Sequence, residues 1–291
     1  MNHPRKLTPW AGAVLASLCA VLFLAAQAHA AWPGNLTEEF HQTYVLSPGG
    51  RIDLENIQGA VHITAWDRNE VKIDAVKTAN SQKRLDEAKI KVDASSDSIS
   101  IRTEYPDRNH VWNRDGEDNP ASVEYTLMVP RNVRLDEIEL INGPLDIRGV
   151  AGEVRASCVN GRLTAQGLQG RVKLETVNGR LEPQFDRLGE SPIELSSVNG
   201  GIELTLPSDA KAEVEASTVS GGISSDFGLE TRNHHFVGHN LRGELGGGGT
   251  RIRLSNVNGH IEIRHANDGR ALSPARNLNP DNDRDDDDDD I

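Results

Sequence analysis

Val-Asn-Gly recurs along this chain, each time ahead of two alternating apolar residues. The stretches are "SCVNGRLT", "ETVNGRLE", "SSVNGGIE" and "SNVNGHIE", with "STVSGGIS" as a variant. Their glycines set a ruler. Gly143, Gly152, Gly161, Gly170 and Gly179 follow at nine-residue steps, and each is followed two residues later by Leu145, Val154, Leu163, Val172 or Leu181. Apolar residues at period two predict short strands with one buried face. A glycine ahead of each predicts a turn that needs positive φ or close backbone approach.

Only every second unit carries Val-Asn-Gly, so the full repeat is 18 residues, or 21 where three are inserted after Pro183. Stacking such repeats places equivalent residues about 4.8 Å apart and turns each motif position into a column. Val159, Val177, Val198, Val219 and Val257 are expected to point inward. Asn160, Asn178, Asn199 and Asn258 form a turn column whose amides can bond to one another. Gly161, Gly179, Gly200 and Gly259 stand beside it as a structural ladder. The fold predicted is all-β: a flattened, single-chain parallel β-solenoid with two facing sheets and coils of 18–21 residues.

The rest of the chain is organised around this core. Residues 1–30 have a basic start, an apolar run (Ala11–Ala26) and a small-x-small "AHA", which reads as a secretory signal peptide. The solenoid domain is expected over 31–265. Within it, 44–142 is a less regular β-rich section containing a long polar loop (Pro106–Ser122) and one short helix within Thr78–Ala88. The regular coils span 143–265, with an insertion at 224–249. Residues 266–291 are expected to be a disordered acidic tail.

Charge narrows the function. The net charge is −13, and the tail from Asp281 onward, with eight Asp and one Arg, supplies −7 of it. An acidic body without a basic block excludes nucleic acid as a natural partner. After signal cleavage no second apolar span remains, so the protein is not expected to be integral to a membrane. Cys158 is then the only cysteine, and no internal disulfide can form.

The ordered series "GRIDLENIQGAVHITAWDRNEVKI", "YTLMVPRNVRLDEIELINGPLDIRGVAGEV" and the later "VNG" units resembles the DUF4097 family of β-strand-repeat proteins, often labelled adhesins, over Tyr44–Arg264. The resemblance implies an exported or envelope-facing β-solenoid. It brings no catalytic residues with it.

Three function classes follow. The first is an exported, periplasmic or envelope-associated, non-enzymatic scaffold or adhesin-like module. It would take an unknown envelope protein or polymer on an outward face built by Arg162, Arg180, Glu182, Glu203 and Glu262, with no cofactor. The second is an envelope metal binder or sensor using His234, His235 and His239 together with the Asp tail, since histidine and carboxylate are ligands for Zn²⁺, Cu²⁺ or Ca²⁺. The third is a polysaccharide-active β-helix enzyme with Glu182 and Glu203 as an acid–base pair. Cys158 shares its column with Thr176, Ser197, Thr218 and Asn256, which reads as a small packing residue rather than a nucleophile.

Overall fold

The structure, a computed structural model, describes residues 35–105, 120–233 and 238–278. The expected signal peptide, His234, His235 and the Asp run from 281 lie outside the described residues. All but one of the regular elements described are β-strands, and they form two large sheets that do not close into a barrel. No helix among the described residues is long and apolar enough to cross a membrane.

The repeat builds both sheets by alternation. Strands β8 (Arg134–Asn142), β10 (Val154–Asn160), β12 (Val172–Asn178) and β14 (Ile193–Asn199) lie side by side in the larger sheet. Strands β9 (Leu145–Arg148), β11 (Leu163–Gln166), β13 (Leu181–Gln184) and β15 (Ile202–Leu206) do so in the smaller one. Neighbours are parallel and, apart from a shift between β8 and β10, in register, with Leu163 opposite both Leu145 and Leu181. Val154, Ala156, Val172, Leu174, Leu163 and Leu181 are all buried between the sheets. The apolar residues at period two therefore supply both inner faces of one core.

The valine column is a correction. Val177, Val198, Val219 and Val257 are 40–53% exposed. The inward position belongs to the preceding residue, so Cys158, Thr176, Ser197, Thr218 and Asn256 are buried instead. The reason is parity. A strand that turns Val154 and Ala156 inward must also turn Cys158 inward and Val159 outward.

The glycines are held by close approach. A Cβ on Gly179 would overlap the carbonyl oxygen of Gly161, one on Gly161 that of Gly143, and one on Gly200 that of Gly179. Gly200 and Gly259 add φ values of +147° and +148°. The corner is thus packed backbone on backbone, which leaves no room for a side chain.

Strands nearer the N terminus extend both sheets. β2 (Arg51–Gln58) pairs with β8, and β3 (Val61–Trp66) with β9, both parallel. The pairing there is mixed. β4 (Glu70–Ala79) is antiparallel to β1 (Leu36–Val45) and to β7 (Ser122–Pro130), and β5 (Lys89–Ala94) is antiparallel to β6 (Ser98–Glu104). Helix α1 (Gln82–Glu87) begins at Ser81, whose side chain accepts from Arg84 N.

The last repeats do not stack in sequence order. β20 (Thr250–Asn258) inserts between β14 and β16 (Ala212–Ser220), and β21 (Ile261–His265) between β15 and β17 (Ile223–Ser225). The insertion makes this possible. β19 (His239–Leu245) runs antiparallel along the far side of β16, and the chain then crosses the start of β16 through Gly246–Gly249. All four glycines have positive φ, and a Cβ on Gly246 would lie 2.9 Å from Ala210 O. The tail also differs from expectation over residues 266–278. Ala275–Asn277 pairs with β19, and buried Ser273 donates to Ala210 O at 2.7 Å. Polar composition concealed a segment held by backbone pairing rather than by apolar contacts.

Candidate binding surface

Strand pairing aligns one outward residue per strand into a row across the smaller sheet. His41, Asp74, Thr126, His62, Asp146, Thr164 and Glu182 are successive partners, and Glu203, Glu262 and Ser224 continue the row beyond β13. At about 4.8 Å per strand the row spans about 43 Å. It lies on the outward face of the sheet, so a ligand would be read by an array of side chains one strand apart.

Three of the expected face residues form one group. Arg162 and Arg180 leave the corner turns and both bring Nε to 3.6 Å from Glu182 Oε1. The other two, Glu203 and Glu262, are neighbours on β15 and β21 and share Arg264, at 2.6 and 2.8 Å. The Arg264 hydrogen bond holds the Glu262 carboxyl below its ordinary range. Arg264 escaped the sequence reading, although it shares the outward parity of Glu262.

The opposite half of the row was not legible. His41 places Nδ1 2.8 Å from Asp74 Oδ1 and Nε2 3.2 Å from Glu39 Oε2, and His62 places Nδ1 2.8 Å from Asp146 Oδ2. Asp74 and then Glu39 hold the His41 imidazole above its usual range. The two histidine–aspartate pairs join strands far apart in sequence, so no spacing announces them.

Around the corner, the asparagines form a bonded ladder. Nδ2 of Asn160, Asn178, Asn199 and Asn258 donates to Oδ1 of Asn142, Asn160, Asn178 and Asn199 in turn, at 2.8–3.0 Å. On the larger sheet, a register shift in β8 gathers Asp136 and Glu137 beside Asp53 and Glu139. Burial, then Glu137 and Glu55, raises Glu139, and burial, then Asp136, raises Asp53.

Of the expected metal ligands, only His239 is described, on β19 opposite Thr218. Among the described residues no group of three or more His, Cys, Asp or Glu is arranged to hold a metal ion. Cys158 is buried, and desolvation pushes its thiol up to about 11, the opposite of an activated nucleophile.

Residues 132–264 match the family model described as Toastrack DUF4097. The chain carries a Toastrack segment. That segment takes in the Asn ladder and the five expected face residues, whereas His41 and His62 lie before it. No curated protein matches the chain significantly. Among solved structures, it is similar to a proposed cell adhesion protein from Clostridium sporogenes ATCC 15579, at 11% identity and a TM-score of 0.46, over 78% of this chain and 100% of that one. A proposed adhesin from Bacteroides fragilis NCTC 9343 shares 10% identity, with a TM-score of 0.27 over 78% and 97% of the two chains. A proposed lipid binding protein from Parabacteroides distasonis ATCC 8503 shares 8%, with a TM-score of 0.24 over 80% and 95%. These scores are low and carry no argument, and the Toastrack likeness is confined to residues 132–264.

Proposed function

We propose that the chain is an exported, non-enzymatic β-solenoid that binds an envelope protein or polymer through the outward row of its smaller sheet. The supporting observation is the row itself: regular, and lined by side chains already paired with one another. Arg162, Arg180, Glu182, Glu203 and Glu262 are its Toastrack half. Exposed ion pairs of this kind add little stability, but they present fixed donors and acceptors at a set spacing.

Catalysis by the carboxylates is disfavoured on physical grounds. A general acid needs a raised pKa and a site shielded from water, whereas Glu262 is held low by Arg264 and Glu182 faces two arginines on an open surface.

Co-sedimentation of the purified chain with fractionated cell envelope tests the reading. Saturable binding, weakened about tenfold by the double substitution Arg180→Glu and Glu203→Lys, is the expected result; tenfold corresponds to about 1.4 kcal/mol. Equal binding by the variant would move the partner off this face. Polysaccharide turnover abolished by Glu182→Gln would replace the binding role with an enzymatic one.

A further inference from the structure

Two strands end the sheets near the N terminus, and only one carries lysine. β5, the last strand of the larger sheet, is six residues long and presents exposed Lys89 and Lys91, a usual defence against edge-to-edge pairing. β1, the last strand of the smaller sheet, is ten residues long, "LTEEFHQTYV", without Lys, Arg or Pro. It keeps unbroken register with β4 over its whole length. No bulge twists it away from a partner strand.

The backbone polarity of that edge is fixed. Leu46 N donates to Asn69 O, in line with the β1–β4 register. Alternation then turns the even residues of β1 toward β4 and leaves N–H and C=O of Thr37, Glu39, His41 and Thr43 facing outward. These are the groups a further antiparallel strand would use.

We propose that this edge pairs with β1 of a second copy of the chain about a two-fold axis through Phe40, joining the two smaller sheets into one. In an antiparallel pair related by such an axis, opposite residues lie on the same sheet face. Centred on Phe40, the outward-bonded pairs are Glu39 with His41 and Thr37 with Thr43. The other pairs are Leu36 with Tyr44, Glu38 with Gln42, and Phe40 with itself. The charged pair therefore meets on one face, and the apolar pairs on the other. Moving the centre by one residue brings Glu39 onto Glu39 or His41 onto His41, so charge disfavours both neighbouring registers. Leu36 is 42% exposed, and Phe40 and Tyr44 are only partly buried against the core. All three would gain apolar cover. Cleavage after Ala30, which belongs to the export reading, leaves only residues 31–35 ahead of the strand.

Sedimentation of the chain beginning at Ala31, which retains every described residue, reads the outcome as mass across the micromolar range. It is independent of envelope binding, so its failure would leave the proposed function standing. The expected result is twice the chain mass for the native sequence and a single chain mass for Thr43→Pro. Proline there removes an outward N–H that β4 does not use, which an edge strand tolerates; unchanged far-UV circular dichroism and Tm confirm folding. In addition, Phe40→Cys should form an intermolecular disulfide, because opposed residues of a non-hydrogen-bonded pair stand about 4.5 Å apart. A monomeric native chain, or a Thr43→Pro dimer, would overturn the proposal. Crosslinking by His41→Cys in place of Phe40→Cys would overturn its register.

Discussion

At the residue scale, the corner glycine is the position with least tolerance. Gly179 has the backbone of Gly161 where a Cβ would go, and the obstacle is main chain rather than a movable side chain. Gly179→Ala is expected to destabilise the chain by about 2–3 kcal/mol, toward the upper end of single-substitution effects. Urea unfolding of the variant measures it. An effect below about 0.5 kcal/mol would mean that the corner opens without cost. The sequence marked this residue correctly by its recurrence. It did not mark the valine beside it, because recurrence alone does not say on which face a column lies.

At the element scale, β12, β14, β16 and β20 of the larger sheet each set a buried polar residue beside an exposed valine. Leu174 is fully buried on β12, whereas Val177 on the same strand is 40% exposed. Leu174→Ala is expected to cost about 2–5 kcal/mol, as for other large-to-small core changes, and Val177→Ala less than about 1 kcal/mol. Thermal unfolding of the two variants side by side checks the assignment, and equal losses would contradict it. The parity that decides this was present in the sequence: Val154, Ala156 and Cys158 share one face, so Val159 cannot. The asparagine ladder was also legible, since equal spacing brings equal side chains into hydrogen-bonding distance. Arg264 could have been found by the same parity, two residues beyond Glu262.

At the scale of the whole molecule, the order of strands is not the order of the chain. β16 joins the rest of the sheet through β20, which is made later in the sequence, while β19 lines its far side. A chain shortened after Gly248 keeps β16 but removes its parallel neighbour. Amide exchange in that shortened chain is expected to be fast over 212–220 and to stay slow over 154–178, where the parallel partners of the strands are intact. Protection of 212–220 equal to that in the full chain would show that β16 can dock directly on β14. The mixed N-terminal section belongs to this scale as well. Its antiparallel pairs bring His41 to Asp74 across 33 residues, and the remaining strands complete a row that the repeat alone supplies only in part.

The sequence by itself determined the all-β class, the repeat length, the corner glycines and the amide ladder. Each follows from local periodicity, because a two-residue alternation and a fixed spacing act within one repeat and its neighbours. Only the tertiary structure decided the insertion of β20, the docking of 275–277 and the two histidine–aspartate pairs. Those depend on which distant strands pair, and backbone hydrogen bonding is nearly the same for every candidate partner. Packing of the whole chain makes that choice, and no local pattern records it.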